Sequence, residues 1–277
     1  MVVSALSLCT AVTACSNGAE DNKSYKLNQG SEKPAQKAVA VAAADGSSKA
    51  EAISGKGRSV AEENDRYSFS YSYPDEAGRI APLKSWLDGE MAKDKAALVE
   101  ETDEASKDAK ASGYEFRAYS YGTEWKRVAN IPRFLSLSAL VSSYSGGAHG
   151  IYGFESLLWD KNAGKRMKPL DLFTSTAAFT ASIKTPFCKE LDRQRAEKRG
   201  KGYEKSSITE FDECIDPTAS TVILGSTDKQ YFNKIGILIG PYSAGSYAEG
   251  DYEVTLPVTA AVLQAVKPEY RAVFKAK

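Results

Sequence analysis

Aromatic residues alternate strictly with serine between residues 67 and 73, in the order Tyr-Ser-Phe-Ser-Tyr-Ser-Tyr. Successive side chains of a β-strand point to opposite faces, so this spacing places every ring on the same face. Pro74 follows directly and ends the pattern. The segment therefore predicts a half-buried strand at the start of a folded region, which we expect to begin near residue 61.

A long amphipathic helix is predicted directly after this strand. Apolar residues recur there at spacings of three, four and seven: Leu83, Trp86, Leu87, Met91 and Leu98. Such spacing keeps them on one face of a helix. We expect the helix to run from about Pro82 to Lys110 and to end at Gly113, since glycine is the residue that most readily ends a helix.

The middle of the chain is rich in strand patterns. The segments 114–121, 134–144 and 151–159 are predicted strands, and the glycine-rich stretch 145–150 is typical of a hairpin connection between the last two. Residues 160–164 form a further turn pattern.

A second helix is indicated by apolar residues at every fourth position: Phe179, Ile183, Phe187 and Leu191. Thr174 or Ser175 is its expected N-cap. Pro186 lies inside the pattern and is expected to kink the helix or to split it, because proline lacks the backbone N–H of a helical residue.

The C-terminal part predicts short strands around 231–232, at 235–239 and at 252–256, followed by a short helix from about Val258 that ends before Pro268. The helices stand apart from runs of neighbouring strands, and the sequence shows neither a βαβ alternation nor a glycine-rich phosphate loop. This arrangement predicts an α+β fold.

The N-terminus is similar to the signal and lipobox of a bacterial lipoprotein. An apolar stretch leads to the small residues Thr13 and Ala14 and then to Cys15, although no basic residue precedes it. On this reading residues 1–14 are a signal peptide, Cys15 carries lipid, and residues 15–60, rich in Ala, Ser, Gly and Lys, form a flexible tether. The alternative is a buried N-terminal helix in which Cys9 and Cys15 are incidental.

Composition excludes some functions and supports export. Lys plus Arg equals Asp plus Glu, at 36 each, so no net charge attracts nucleic acid. A metal site or other cofactor is not expected, because the chain has one histidine and no CxxC pair. In an oxidising compartment Cys188 and Cys214 are expected to form a disulfide, the alternative being two buried thiols.

The segment 184–205 holds eight basic and four acidic side chains. Two readings stay open for it. One is a basic patch for anionic lipid or glycan, and the other is the solvated end of a helix.

Three segments carry a resemblance to a known family. They are residues 137–150, which end in Gly-Gly-Ala-His-Gly; residues 159–173; and residues 239–254, which contain Pro-Tyr-Ser-Ala-Gly-Ser-Tyr. Together they resemble a family of bacterial extracytoplasmic domains that includes the ectodomain of the lysozyme-sensing anti-sigma factor RsiV and the non-catalytic part of the peptidoglycan deacetylase PdaC. The resemblance covers roughly residues 65–270.

The resemblance implies two linked α+β modules, each an antiparallel sheet with one or two packed helices. We place them at residues 61–162 and 163–277. The sequence shows no counterpart of the relatives' transmembrane helix or metal-dependent catalytic domain, so neither sigma-factor binding nor deacetylation is carried over. What the resemblance implies is extracytoplasmic binding of a cell-wall glycan or a wall-acting protein such as lysozyme.

We therefore expect a non-catalytic, lipid-anchored binding module in the cell envelope, at an outer membrane and facing the periplasm. The candidate binding residues lie in the two turn-rich segments: Tyr144, Gly147, His149, Tyr152, Tyr242 and Tyr247.

The alternative is a cell-wall hydrolase that uses His149, the only histidine, with Glu155 or Asp160. A structural His149 is the third reading, with the ring bonded to its own turn or packed on Tyr144 or Tyr152. Geometry discriminates among these readings, because a catalytic histidine needs a carboxylate or hydroxyl within hydrogen-bond reach in a cleft.

Overall fold

A computed structural model describes residues 55–201, 203 and 205–276. The predicted signal peptide, Cys15 and the tether as far as residue 54 lie outside the described residues. The first strand begins at Arg58, so the folded region starts three residues inside the segment for which the sequence predicts a tether.

The described chain contains two β-sheets. The larger has six strands in sequence order: β1 Arg58–Glu63, β2 Tyr67–Tyr73, β3 Tyr119–Asn130, β4 Phe134–Tyr144, β5 Ile151–Asp160 and β6 Lys165–Met167. The smaller has three: β7 Thr221–Gly225, β8 Lys234–Ile239 and β9 Tyr252–Pro257. The helices are α1 Asp75–Gly78, α2 Ala81–Ser112, α3 Thr176–Arg199, α4 Thr209–Asp212 and α5 Ala260–Ala265. This content confirms the α+β fold class.

The larger sheet is mixed, which corrects the prediction of an antiparallel sheet. Strands β2 and β3 pair in parallel, with Tyr67 opposite Tyr119, whereas the other neighbours pair antiparallel. The long helix α2 connects β2 to β3, and a parallel pair requires such a crossover. One βαβ unit is therefore present, although the sequence shows no repeated alternation of strands and helices.

Each part of the chain has its own core. The alternating aromatics of β2 bury Phe69, Tyr71 and Tyr73 against α2, together with Leu83 and Leu87. The second core surrounds the smaller sheet and α3, and strands of the larger sheet also contribute to it through Phe134 and Leu158 among others. Residues of the larger sheet therefore form part of the second core.

Several element boundaries differ from the sequence prediction. Strand β3 begins at Tyr119 instead of residue 114 and continues to Asn130, through a stretch whose solvent-facing side chains are charged. Strands β1, β6 and β7 are not predicted. The predicted strand at 231–232 is wrong, because Phe232 makes only an isolated bridge to Phe274. The strands β2 and β4 have the predicted bounds.

Helix α3 is continuous from Thr176 to Arg199, so the predicted split at Pro186 does not occur. Pro186 is exposed, so its ring lies on the solvent side of the helix. Phe187, Ile183 and Leu191 are buried and hold both halves of the helix on the core. Ser175 is the N-cap, and its hydroxyl accepts a hydrogen bond from the Ala178 N–H at 3.0 Å.

The expected disulfide is present between Cys188 on α3 and Cys214 after α4, with Cα atoms 5.3 Å apart. It attaches the segment that carries α4 to the side of α3. The alternative of two buried thiols is thereby excluded.

Neither the basic patch nor the solvated helix end that the sequence allows fully describes the basic end of α3. Arg195 and Arg199 turn inward, with side chains 4% and 7% exposed. The Arg199 guanidinium forms ion pairs with Asp212 at 3.1 Å and Glu249 at 2.8 Å. Arg195 donates to the carbonyls of Ala244, Glu210 and Glu213. These two arginines thus organise the loops around the helix end, whereas Arg193 on the same helix is exposed.

No helix among the described residues combines the length and apolar character that a membrane crossing requires.

Candidate functional site

The hairpin between β4 and β5 presents the predicted Gly-Gly-Ala-His turn. Gly146 and Gly147 have φ angles of 91° and 90°, a backbone region that glycine adopts without steric cost. The Tyr144 hydroxyl donates to the Gly147 carbonyl at 3.1 Å and closes the turn. Tyr144 and Gly147 therefore shape this loop.

His149 is exposed at the end of the turn. Its Nδ1 lies 2.8 Å from the Gly150 carbonyl, and because a carbonyl only accepts, Nδ1–H is the donor. In the neutral ring Nε2 is then an acceptor, and the Tyr242 hydroxyl lies 3.4 Å away. The histidine bonds to its own turn, as its structural reading expects.

The rings beside His149 come from the second turn-rich segment. Its ring stacks on Tyr247, with centroids 4.0 Å apart, and Tyr242 lies 5.4 Å from Tyr247. The expected packing on Tyr144 or Tyr152 is wrong, because the C-terminal loop occupies the position over the imidazole. We name these three residues, His149, Tyr242 and Tyr247, the aromatic platform.

Hydrogen bonds and an ion pair hold the loop that carries Tyr242 and Tyr247 in place. The Tyr247 hydroxyl donates to the Gly150 carbonyl at 2.8 Å and joins the loop to the hairpin. Ser246 and Glu249 form a capping box, with the Ser246 N–H 3.0 Å from the Glu249 carboxylate. Arg199 neutralises that carboxylate, so the buried end of α3 supports the platform.

Tyr242 has a φ angle of 65°, which is uncommon for a residue with a side chain. Such positions cost on the order of 1–3 kcal/mol and occur preferentially at functional sites. The ring is 38% exposed, so burial of its apolar face is not what offsets this cost.

Tyr152 lies beside the platform, with its ring centroid 6.4 Å from that of Tyr247. Its hydroxyl donates to Asp251 at 2.9 Å. Burial, together with this carboxylate, raises the pKa of Tyr152 to about 12, so the phenol stays protonated and remains a donor. The structure thus brings all six candidate binding residues close together.

The carboxylates of the hydrolase hypothesis lie elsewhere. Asp160 is 1% exposed and is paired with Arg133 at 2.8 Å, which holds the pKa of its carboxyl below the usual value in spite of burial. Glu155 faces helix α2. Among the described residues the hydrogen bonds of His149 go to Gly150 and Tyr242, so the pairing that this hypothesis needs is not formed.

The described residues contain no group of three His, Cys, Asp or Glu side chains positioned to hold a metal ion. The arrangement at the platform offers ring faces, one imidazole nitrogen and tyrosine hydroxyls to a neutral ligand.

The residues that support the platform are not predicted from the sequence. Glu249 and Arg199 are separated by 50 residues, and no local pattern links them. The spacing Ser246-x-x-Glu249 is nevertheless that of a capping box and marks a rigid turn at this position.

Comparison with known proteins supports the resemblance. The family model described as Deacetylase PdaC matches residues 60–152, which extend from β1 into β5. A search of curated proteins finds no match.

Two solved structures are similar to the chain. A DUF3298 family member from Bacteroides fragilis is 17% identical, with a TM-score of 0.50, over 80% of this chain and 98% of that one. A DUF3298 family protein from Pseudomonas aeruginosa PAO1 is 14% identical, with a TM-score of 0.41, over 80% of this chain and 97% of that one. At this identity the Bacteroides likeness shows a shared fold.

The comparisons confirm the resemblance to an extracytoplasmic domain family that is similar to the non-catalytic region of the deacetylase. They suggest a location in the cell envelope and a non-catalytic binding module whose specificity they do not give.

Proposed function

We propose that the protein is a non-catalytic binding module of the cell envelope and that it captures a cell-wall glycan on the aromatic platform. The observation that carries this proposal is the stack that exposed His149 and Tyr242 form with half-buried Tyr247, which is fixed in place before any ligand arrives. A site that is already ordered loses less entropy on binding.

The chemistry of the platform suits a sugar ring. Aromatic side chains combine a large apolar face with, in tyrosine, a polar tip, and a pyranose offers an apolar face edged by hydroxyls. The Tyr242 and Tyr247 rings lie close enough for one sugar to contact both. A wall-acting protein such as lysozyme is the other candidate partner, and the experiment below separates the two.

We further propose that Cys15 carries a lipid anchor and that residues 16–57 form the tether. Small residues before Cys15 support this reading, and the modules would then face the periplasm from an outer membrane. Cys9 provides a matched control, because bulky Leu8 precedes it.

Binding is tested with the full chain in detergent, using purified peptidoglycan oligosaccharides and, separately, lysozyme. We expect saturable binding of the oligosaccharide and a loss of at least about tenfold in Tyr242→Ala, since removal of one stacked ring is worth roughly 1.4 kcal/mol. Tyr231→Ala is the control, because Tyr231 is 39% exposed and Tyr242 is 38% exposed.

Binding of lysozyme alone would contradict the glycan proposal, and so would equal loss in both variants. The hydrolase alternative has its own test in the same preparation. We expect no release of reducing ends from wall fragments by the wild type; turnover that disappears in His149→Ala would overturn the non-catalytic assignment.

The anchor is tested by metabolic labelling with a radioactive fatty acid. We expect label in the wild type and in Cys9→Ser, and none in Cys15→Ser. Label retained in Cys15→Ser would contradict the lipobox assignment.

A further inference from the structure

A cavity lies between helix α2 and the larger sheet, apart from the aromatic platform. Its volume is about 70 Å³. We name it the acidic cleft and define it by its lining residues: Tyr71, Trp86, Glu90, Asp94, Tyr121, Thr123, Trp125, Val141 and Glu155. Tyr152 and Glu155 are three positions apart on β5 and therefore point to opposite faces of the sheet.

Small residues create the space. Tyr71, Thr123, Val141 and Gly153 are neighbours across four strands, and Ala139 stands beside Glu155 in the adjacent row. A Cβ atom added at Gly153 would meet nothing within 4 Å, so the sheet is open at this position. The gap between the helix and the sheet thus lies over the smaller residues Thr123, Val141, Gly153 and Ala139, beside the large rings of Tyr71 and Trp125.

Carboxylates converge on this gap from two elements. Glu90 and Asp94 are one turn apart on α2, and Glu155 faces them from β5 as an exposed residue at the rim. Burial raises the pKa of Asp94, and repulsion by Glu90 adds to this, whereas a hydrogen bond from Tyr121 acts in the other direction. Partial burial at the rim, together with repulsion by Asp94 and Glu90, raises the pKa of Glu155 as well. The ion pairs among the described residues do not include any of these three carboxylates.

Two basic side chains near the cleft, Lys93 and Arg166, form no ion pair with these carboxylates. Lys93 lowers the pKa of Asp94 slightly without forming an ion pair, and the Arg166 guanidinium lies 4.0 Å from the centre of the Trp86 ring. The cleft therefore concentrates negative charge next to aromatic rings.

The floor of the cleft also holds an unpartnered polar atom. Thr123 is 5% exposed, and its Oγ1 has no hydrogen-bond partner among the described residues. The Tyr121 hydroxyl lies near both Thr123 and Asp94, but it lacks good hydrogen-bond geometry to Thr123 Oγ1. Buried hydroxyls are normally paired, because an unpaired one costs about 1–3 kcal/mol.

The aromatic walls are ordered. Trp86 and Trp125 pack edge to face with centroids 6.3 Å apart. The Trp125 indole N–H donates to the Tyr71 hydroxyl at 3.1 Å, and Tyr71 itself is 2% exposed. Rings that are fixed in this way present constant faces to a ligand.

We infer that the acidic cleft binds an organic cation, the alkylammonium or guanidinium group of a ligand. Carboxylates attract its charge, Thr123 Oγ1 accepts one of its hydrogen bonds, and the indole faces add cation–π attraction. The residues do not form a metal-ion cage, since no three carboxylates among the described residues have that geometry. The charge comes from a free amine or from a basic side chain of a polypeptide.

The test is a titration of the full chain followed by tryptophan fluorescence, because two of the three tryptophans line the cleft. One arm uses n-butylammonium and n-butylguanidinium, and a second arm uses a capped Gly-Lys-Gly peptide. Sodium chloride at equal ionic strength is the control for screening. We expect saturable quenching in at least one arm; the arm that responds identifies the source of the cation.

Glu155→Gln is expected to weaken this binding at least tenfold. Glu124→Gln is the matched control, because Glu124 is an exposed carboxylate on the opposite face of β3. Thr123→Val is expected to weaken binding and to raise the melting temperature, since it removes an unpaired hydroxyl at constant shape. This combination differs from the effect of a purely structural residue, whose loss lowers stability.

The inference is overturned if no probe gives a saturable signal, if sodium chloride reproduces the signal, or if Glu155→Gln and Glu124→Gln respond alike. Thr123→Val keeps the test decisive if Glu155→Gln does not fold.

Discussion

Two groups of carboxylates in this protein have opposite surroundings. Asp212 and Glu249, each with a side chain 13% exposed, meet the buried guanidinium of Arg199. Glu90, Asp94 and Glu155 share a cleft and have no ion-pair partner among the described residues. The first group holds loops in place below the aromatic platform. The second concentrates negative charge without compensation.

The difference shows which carboxylates have their charge compensated by other groups of the protein. The pKa of Glu249 is lowered despite burial, because Arg199, Tyr252 and a backbone N–H hydrogen-bond to its charged form. The pKa of Glu155 is raised by burial and like charge. A carboxylate of the first kind stabilises the native state at neutral pH, and one of the second kind opposes it unless a cation binds.

The largest expected effect is at Arg199. Arg199→Met leaves two largely buried carboxylates without their cation, so we expect the free energy of unfolding to fall by about 3–5 kcal/mol. Urea denaturation measures this loss. Arg193→Met on the same helix is the control; its exposed ion pairs are worth less than about 1 kcal/mol. Equal losses in the two variants would contradict the assigned role of Arg199.

The disulfide should come next. Replacing Cys188 and Cys214 together by alanine opens a loop of 26 residues, which costs about 3 kcal/mol in the chain-entropy model. Thermal unfolding of the double variant, compared with the oxidised wild type in which the disulfide is intact, measures it. An unchanged melting temperature would show that the bond does not support the α4 segment.

The smallest effect is at Glu155, and it has the opposite sign. A raised pKa means that its contribution to stability is complete below the unfolded-state pKa and is lost as pH rises through the folded-state pKa. We therefore expect Glu155→Gln to be more stable than wild type at pH 7, by less than about 1 kcal/mol, with the difference vanishing in acid.

Unfolding curves of Glu155→Gln from pH 7 downward, with Glu124→Gln alongside, check this sign. A destabilised Glu155→Gln at pH 7 would mean that its carboxylate has a favourable partner and would remove the contrast between the two groups.

The sequence predicts the elements whose apolar pattern is strong. The β2 alternation, the β4–β5 hairpin and the stripe of α2 need only local spacing, and all three are confirmed. Strands β1, β6 and β7 are short and owe their position to neighbours in the sheet, so a local pattern does not identify them. The parallel pairing of β2 with β3 likewise depends on the path that the chain takes through α2, which a local pattern does not predict.

The sequence predicts the residues of the candidate site but not their arrangement in space. Both turn-rich segments are recognisable, yet nothing local predicts that Tyr247 stacks on His149 across nearly one hundred residues of chain. The acidic cleft does have a signal in the sequence. Glu90 and Asp94 fall within the apolar stripe of α2, and Glu155 alternates with buried Leu157 and Trp159. Carboxylates at apolar positions are the signal.

The most direct test of the central claim is the affinity of the full chain for peptidoglycan oligosaccharide, measured by calorimetry in wild type, Tyr242→Ala and Tyr231→Ala. The proposed role of the aromatic platform predicts saturable binding that Tyr231→Ala preserves and Tyr242→Ala weakens at least about tenfold. Absence of binding in the wild type, or equal affinity in all three proteins, would contradict it.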